Sequence, residues 1–92
     1  MKIKKMFDDS AKEFGTVSWN GVKLALTEEP YPIGLIDDWY FYAHAMDEEG
    51  NLWEVCWDII PGVDSNVDYF DQVEDWDKPF YAEMIDKGYY LD

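Results

Sequence analysis

Between residues 52 and 60 the chain alternates without a break. Trp53, Val55, Trp57 and Ile59 fall on one side, and Leu52, Glu54, Cys56, Asp58 and Ile60 on the other. A side-chain period of two belongs to a β-strand, and the set with no polar member belongs to its buried face. Residues 39–46 alternate in the same way, with Trp39, Phe41, Ala43 and Ala45 on one face. The intervening Asp-Glu-Glu-Gly-Asn offers Gly50 and Asn51 for left-handed turn geometry. The two segments are therefore expected to pair, with opposite residues summing to roughly 98, which sets His44 against Glu54. A chain with this pattern is committed to an antiparallel sheet.

A second hairpin is expected at Asn20-Gly21, between residues 16–19 and 22–26, because a type I′ turn needs positive φ at both central positions. In residues 3–14, Ile3, Met6, Phe7, Ala11 and Phe14 draw a helical stripe that Gly15 would end. Residues 28–38, with Pro30, Pro32 and Gly34, read as an irregular connection. Val67, Phe70, Val73 and Trp76 recur every three residues, a spacing that a helix or a series of tight turns both satisfy. Asp77 would cap a last short helix over 78–87, with Pro79 in its first turn and Gly88 after its end. Tyr89, Tyr90 and Leu91 would pack back on the sheet. The expected fold is α+β: a small antiparallel sheet of about four strands in two hairpins, packed by an N-terminal and a C-terminal helix, in one domain spanning 1–92.

Composition fits that expectation. Five Trp, seven Tyr and five Phe in 92 residues, with 48% hydrophobic residues, exclude a disordered acidic tail. Cys56 is the one cysteine, so no internal disulfide forms, and its apolar surroundings suggest a buried thiol in a reducing, cytoplasmic compartment. No run approaches the ~18 uncharged apolar residues of a membrane span. The start Met1-Lys2-Ile3-Lys4-Lys5 resembles a signal peptide, but Asp8, Asp9 and Lys12 interrupt any apolar core.

Charge points to function. The net charge is −14, and it is lopsided. Residues 1–45 hold five Lys against seven acids, while residues 46–92 hold two Lys against fourteen. Direct binding of nucleic acid is excluded, since phosphates call for clustered Lys and Arg. Catalysis is poorly supplied: His44 is the sole histidine, sits mid-strand, and is expected to face Glu54 rather than Cys56. Asp64, Asn66 and Asp68 imitate the start of a calcium-binding EF-hand loop, yet Tyr69 and Asp75 stand where that loop requires Gly and Glu. No metal, cofactor or catalytic residue is assigned.

The remaining candidate is residues 64–77, which carry Asp64, Asp68, Asp71, Glu74, Asp75 and Asp77 with no lysine, interrupted by Tyr69, Phe70 and Trp76. A solvated surface or salt adaptation would also produce such a run. However, solubility needs a net charge of only about 2–8 in magnitude, and crowded like charges cost stability. If the run is helical, Asp64, Asp68, Asp71 and Asp75 form one stripe whose members stand ~6 Å apart along the axis, close to the spacing of nucleic-acid phosphates. In this respect the chain resembles the small acidic DNA-mimic and host-defence-inhibitor proteins, anti-restriction and anti-CRISPR, of phages and mobile elements. The resemblance implies a non-enzymatic protein that occupies the basic, nucleic-acid-binding site of a host protein. The residues themselves, not the resemblance, mark the six acids as the binding face and Tyr69 and Trp76 as its anchors. The alternative is an adaptor domain that binds a protein partner through an aromatic sheet face of Tyr40, Tyr42, His44 and Met46. An exposed sheet edge would also allow a homodimer.

Overall fold

The computed structural model describes residues 2–35, 38–60 and 69–91. Helix α1 (Lys2–Phe14) is followed by strands β1 (Thr16–Trp19), β2 (Val22–Leu26), β3 (Tyr31–Leu35), β4 (Asp38–Asp47), β5 (Leu52–Asp58) and β6 (Tyr81–Asp86), with one 3₁₀ turn at Tyr69–Gln72. The six strands make one antiparallel sheet, curled into a half-barrel. Its order is β1-β2-β4-β5-β6, and β3 pairs with β4 beside β2.

Both expected hairpins are present. Asn20 has φ 50° and Gly21 φ 83°, the conformation a type I′ turn demands, and Trp19 faces Val22 across it. In the β4–β5 pair, Tyr40 faces Asp58, His44 faces Glu54 and Met46 faces Leu52. The helical stripe of α1 also forms, ended by Gly15 at φ 95°, whose N–H donates to the Ala11 carbonyl.

Strand alternation divides the side chains between two faces. The inner face gathers Val17, Leu24, Leu26, Phe41, Ala43, Ala45, Val55 and Trp57 into the main core, joined by Val73 and Ala82. On the outer face, α1 lays Phe7 over Ala25 and Met46, with Tyr90 against the same cluster. The helix covers only that end of the outer face.

Two parts of the expected architecture are corrected. There is no C-terminal helix: residues 81–86 are strand β6, paired with β5. The helix signals were local, but β5 needs a second neighbour to complete its backbone ladder, and Ala82 opposite Val55 adds to the core. Tertiary pairing outweighs a cap and a proline. Moreover, the described sheet has six strands rather than about four, because β6 joins it and residues 31–35 pair with β4 instead of forming an irregular connection. Pro32 is tolerated in β3 because that strand is paired on one side only, so a missing N–H need not break a ladder.

Over residues 69–77 the chain makes a 3₁₀ turn followed by bends, so the spacing of three is met by tight turns there rather than by an α-helix. Asp71 and Asp75, the two members of the expected acidic stripe that fall here, therefore do not share an α-helix, while Asp64 and Asp68 lie outside the described residues.

Candidate functional site

The uncovered part of the outer face carries two side-chain rows running across the strands. Residues directly opposite in an antiparallel pair point to the same side. The registers therefore align Tyr31 (β3), Tyr42 (β4), Cys56 (β5) and Tyr81 (β6) in one row. The next row holds His44 (β4), Glu54 (β5) and Glu83 (β6). Glu28 completes this second row from the connection between β2 and β3. β4 changes partner there, from β2 at Ala45 to β3 at Tyr42, and the His44 N–H would lack a strand acceptor. Glu28 Oε2 takes that N–H at 2.8 Å and also meets His44 Nδ1 at 2.8 Å.

The rows are stitched together by tyrosine hydroxyls. Tyr42 donates to Glu54 Oε1 at 3.0 Å, and its oxygen lies 3.4 Å from His44 Nε2. Tyr81 donates to Glu83 Oε2. Both ring nitrogens of His44 thus have an oxygen within reach, Nδ1 that of Glu28 and Nε2 that of Tyr42, and the chain runs on from the Tyr42 O–H to Glu54. The rings of Tyr31 and Tyr42 tilt together at 5.8 Å, and His44 stands edge-on to Tyr42 at 5.3 Å.

Electrostatics on this face favour keeping protons on the phenols and the thiol. Burial, then the hydrogen bond to Glu54, lifts the Tyr42 hydroxyl well above the ordinary tyrosine range. The hydrogen bond to Glu83, then burial, pushes Tyr81 up to about 12. Burial and the Glu54 charge push the Cys56 thiol up to about 11. Cys56 is thus a protonated, free and buried thiol at neutral pH. Neither row contains a lysine, and Glu54 and Glu83 face each other across the β5–β6 pair.

The residues singled out in the sequence are placed differently. Asp71, Glu74 and Asp77 are exposed, Asp75 is half-buried, and Asp64 and Asp68 lie outside the described residues. Asp75 serves the local backbone: its Oδ1 accepts the Asp77 N–H at 2.9 Å, and its carbonyl accepts the Lys78 N–H. Glu74 and Asp75 meet Asp58 and Lys78 around an open cleft of about 850 Å³. Tyr69 lies in the 3₁₀ turn. Trp76 turns inward, 5.2 Å from the Phe41 ring and 5.4 Å from that of Trp57, and its carbonyl accepts the Trp57 indole N–H at 2.8 Å. Of the proposed aromatic sheet face, Tyr40, Tyr42 and His44 are accessible, whereas Met46 is sealed beneath α1.

Glu28, Glu54 and Glu83 had no signal as a group in the sequence. Only the β4–β5 register was readable, and it already put Glu54 against His44. The other two positions depend on β3 and β6, which local patterns concealed. Among the described residues no cluster of side chains suits a metal ion, and no helix is long and apolar enough to cross a membrane. No protein-family model matches the chain, and no curated protein and no solved structure matches it either.

Proposed function

We propose that the protein is a non-enzymatic acidic binding protein that engages a basic protein partner through the outer sheet face. The observation that carries this reading is the facing pair Glu54–Glu83, set in a row with Glu28 and beside a row of tyrosines, with no lysine in either row. Like charges directly opposite on a sheet lower stability, and a Lys or Arg from a partner would relieve that repulsion. Tyrosine faces also receive cations favourably, Arg more often than Lys. The net charge of −14 supplies long-range steering toward such a partner. A partner whose basic surface normally holds nucleic acid fits the same field, which would make the protein an anionic competitor acting in the reducing cytoplasm. The protonated thiol of Cys56 and the raised hydroxyl of Tyr42 favour binding over nucleophilic chemistry.

The test is titration with an oligoarginine peptide at about 20 and 200 mM NaCl, comparing the wild type with an E54Q/E83Q variant. Removing the facing charges should weaken binding about tenfold and flatten its salt dependence, while stability holds or rises by a few tenths of a kcal/mol. A matched D71N/E74Q/D77N variant removes exposed charge from residues 69–77 instead. If it loses binding while E54Q/E83Q does not, the face on that turn is the binding surface and the sheet face is discarded.

A further inference from the structure

Strand β6 ends the sheet: among the described strands it pairs with β5 on one side and with none on the other. Its residues are exposed apart from Ala82, including Tyr81, Met84 and Ile85 at 38%, 40% and 43%. The register is regular from Tyr81 to Met84 and then shifts. Trp53 faces Met84 and Leu52 faces Asp86, so Ile85 is an extra residue in the strand. Both outer-face rows reach this edge, the tyrosine row at Tyr81 and the carboxylate row at Glu83. We propose that the edge of β6 over residues 81–84 receives an extended segment of the basic partner as an added strand, with a Lys or Arg opposite Glu83. This rests on the proposed reading of the outer face and names how the partner is held.

Charge complementarity selects the occupant. An added strand places its side chains about 5 Å from those of β6, so a cation opposite Glu83 sits within reach of both Glu83 and Glu54. The neighbouring outward residue would lie over the Tyr81 ring, where an apolar stem or a guanidinium packs well. A second copy of β6 would instead bring Glu83 and Asp86 of each chain together, between two molecules that each carry −14. Main-chain hydrogen bonds give such an added strand its affinity, and alternate side chains give it specificity.

The experiment uses an alternating Lys-Thr decapeptide and its backbone N-methylated analogue, which keeps every charge and side chain but cannot donate ladder hydrogen bonds. Binding to the intact protein is followed at low salt, with amide exchange read at residues 81–84. The inference expects the parent peptide to bind at least about tenfold more tightly than the analogue, and to slow exchange at those amides by a similar factor. Equal binding of the two peptides overturns edge addition and leaves the face reading intact. If neither binds, both are overturned. A chain that is already dimeric, with those amides protected before peptide is added, shows that a second copy fills the edge and also overturns the inference.

Discussion

Asp47 shows how much structural work one carboxylate performs at the end of β4. It is 6% exposed, yet it carries four hydrogen bonds. Oδ1 accepts the N–H groups of Glu49 and Asn51, and Oδ2 accepts the Asn51 amide and the Trp53 indole N–H. Burial alone would raise its pKa, but the donors from Asn51, Trp53 and Glu49 together hold the carboxyl below the ordinary aspartate range. A carboxyl depressed in the folded state stabilises the fold above its unfolded pKa of about 3.9, and that stabilisation is lost as the pH falls through the lower folded value. Asp47→Asn turns an amide N–H₂ toward donors and should cost about 2–3 kcal/mol at neutral pH. Urea denaturation across the acid range checks this: the variant should lose stability less steeply below about pH 4 than the wild type does. A parallel pH profile would show that Asp47 is not the group responsible. Nothing in the sequence marks Asp47 out from Glu48 and Glu49, since its burial follows from where Trp53 and Asn51 point.

At the scale of elements, Trp76 separates core from interface. Seated between Phe41 and Trp57, it should be needed for folding: Trp76→Ala should lower stability toward the lower end of ~3–5 kcal/mol, as befits a half-buried ring. Thermal denaturation decides the matter, and an unchanged melting temperature would return Trp76 to the role of a surface anchor. The elements that the sequence disclosed were those whose signal is local. Asn20-Gly21 dictates its own turn, residues 39–46 and 52–60 alternate strongly enough to set their register, and Gly15 ends the α1 stripe. Strands β3 and β6 were hidden for opposite reasons. Pro30, Pro32 and Gly34 make residues 31–35 look unfit for a sheet, although a strand paired on one side accepts a proline. Residues 78–87 carry helix punctuation that gives way to pairing with β5. Because Glu28 and Glu83 depend on those two strands, the carboxylate row could not be read before the sheet was known.

For the molecule as a whole, a charge of −14 on 92 residues means self-repulsion in every folded state. Raising NaCl from about 20 to 500 mM shortens the screening length from roughly 20 to 4 Å. The melting temperature should therefore rise by several degrees, equivalent to about 1 kcal/mol for a chain of this size. Calorimetry over a salt series checks it, and a flat or falling trend would mean that the charges are already balanced within the fold.

Ile3 and Leu91 meet at Gly50. A side-chain carbon placed there would lie 3.1 Å from both Ile3 Cδ1 and Leu91 Cδ2, so the start of α1 and the residues after β6 converge on one turn. A short linker from residue 91 to residue 3 would therefore close the backbone into a ring. New ends opened at the exposed Asn20-Gly21 turn would then leave every strand pairing in place.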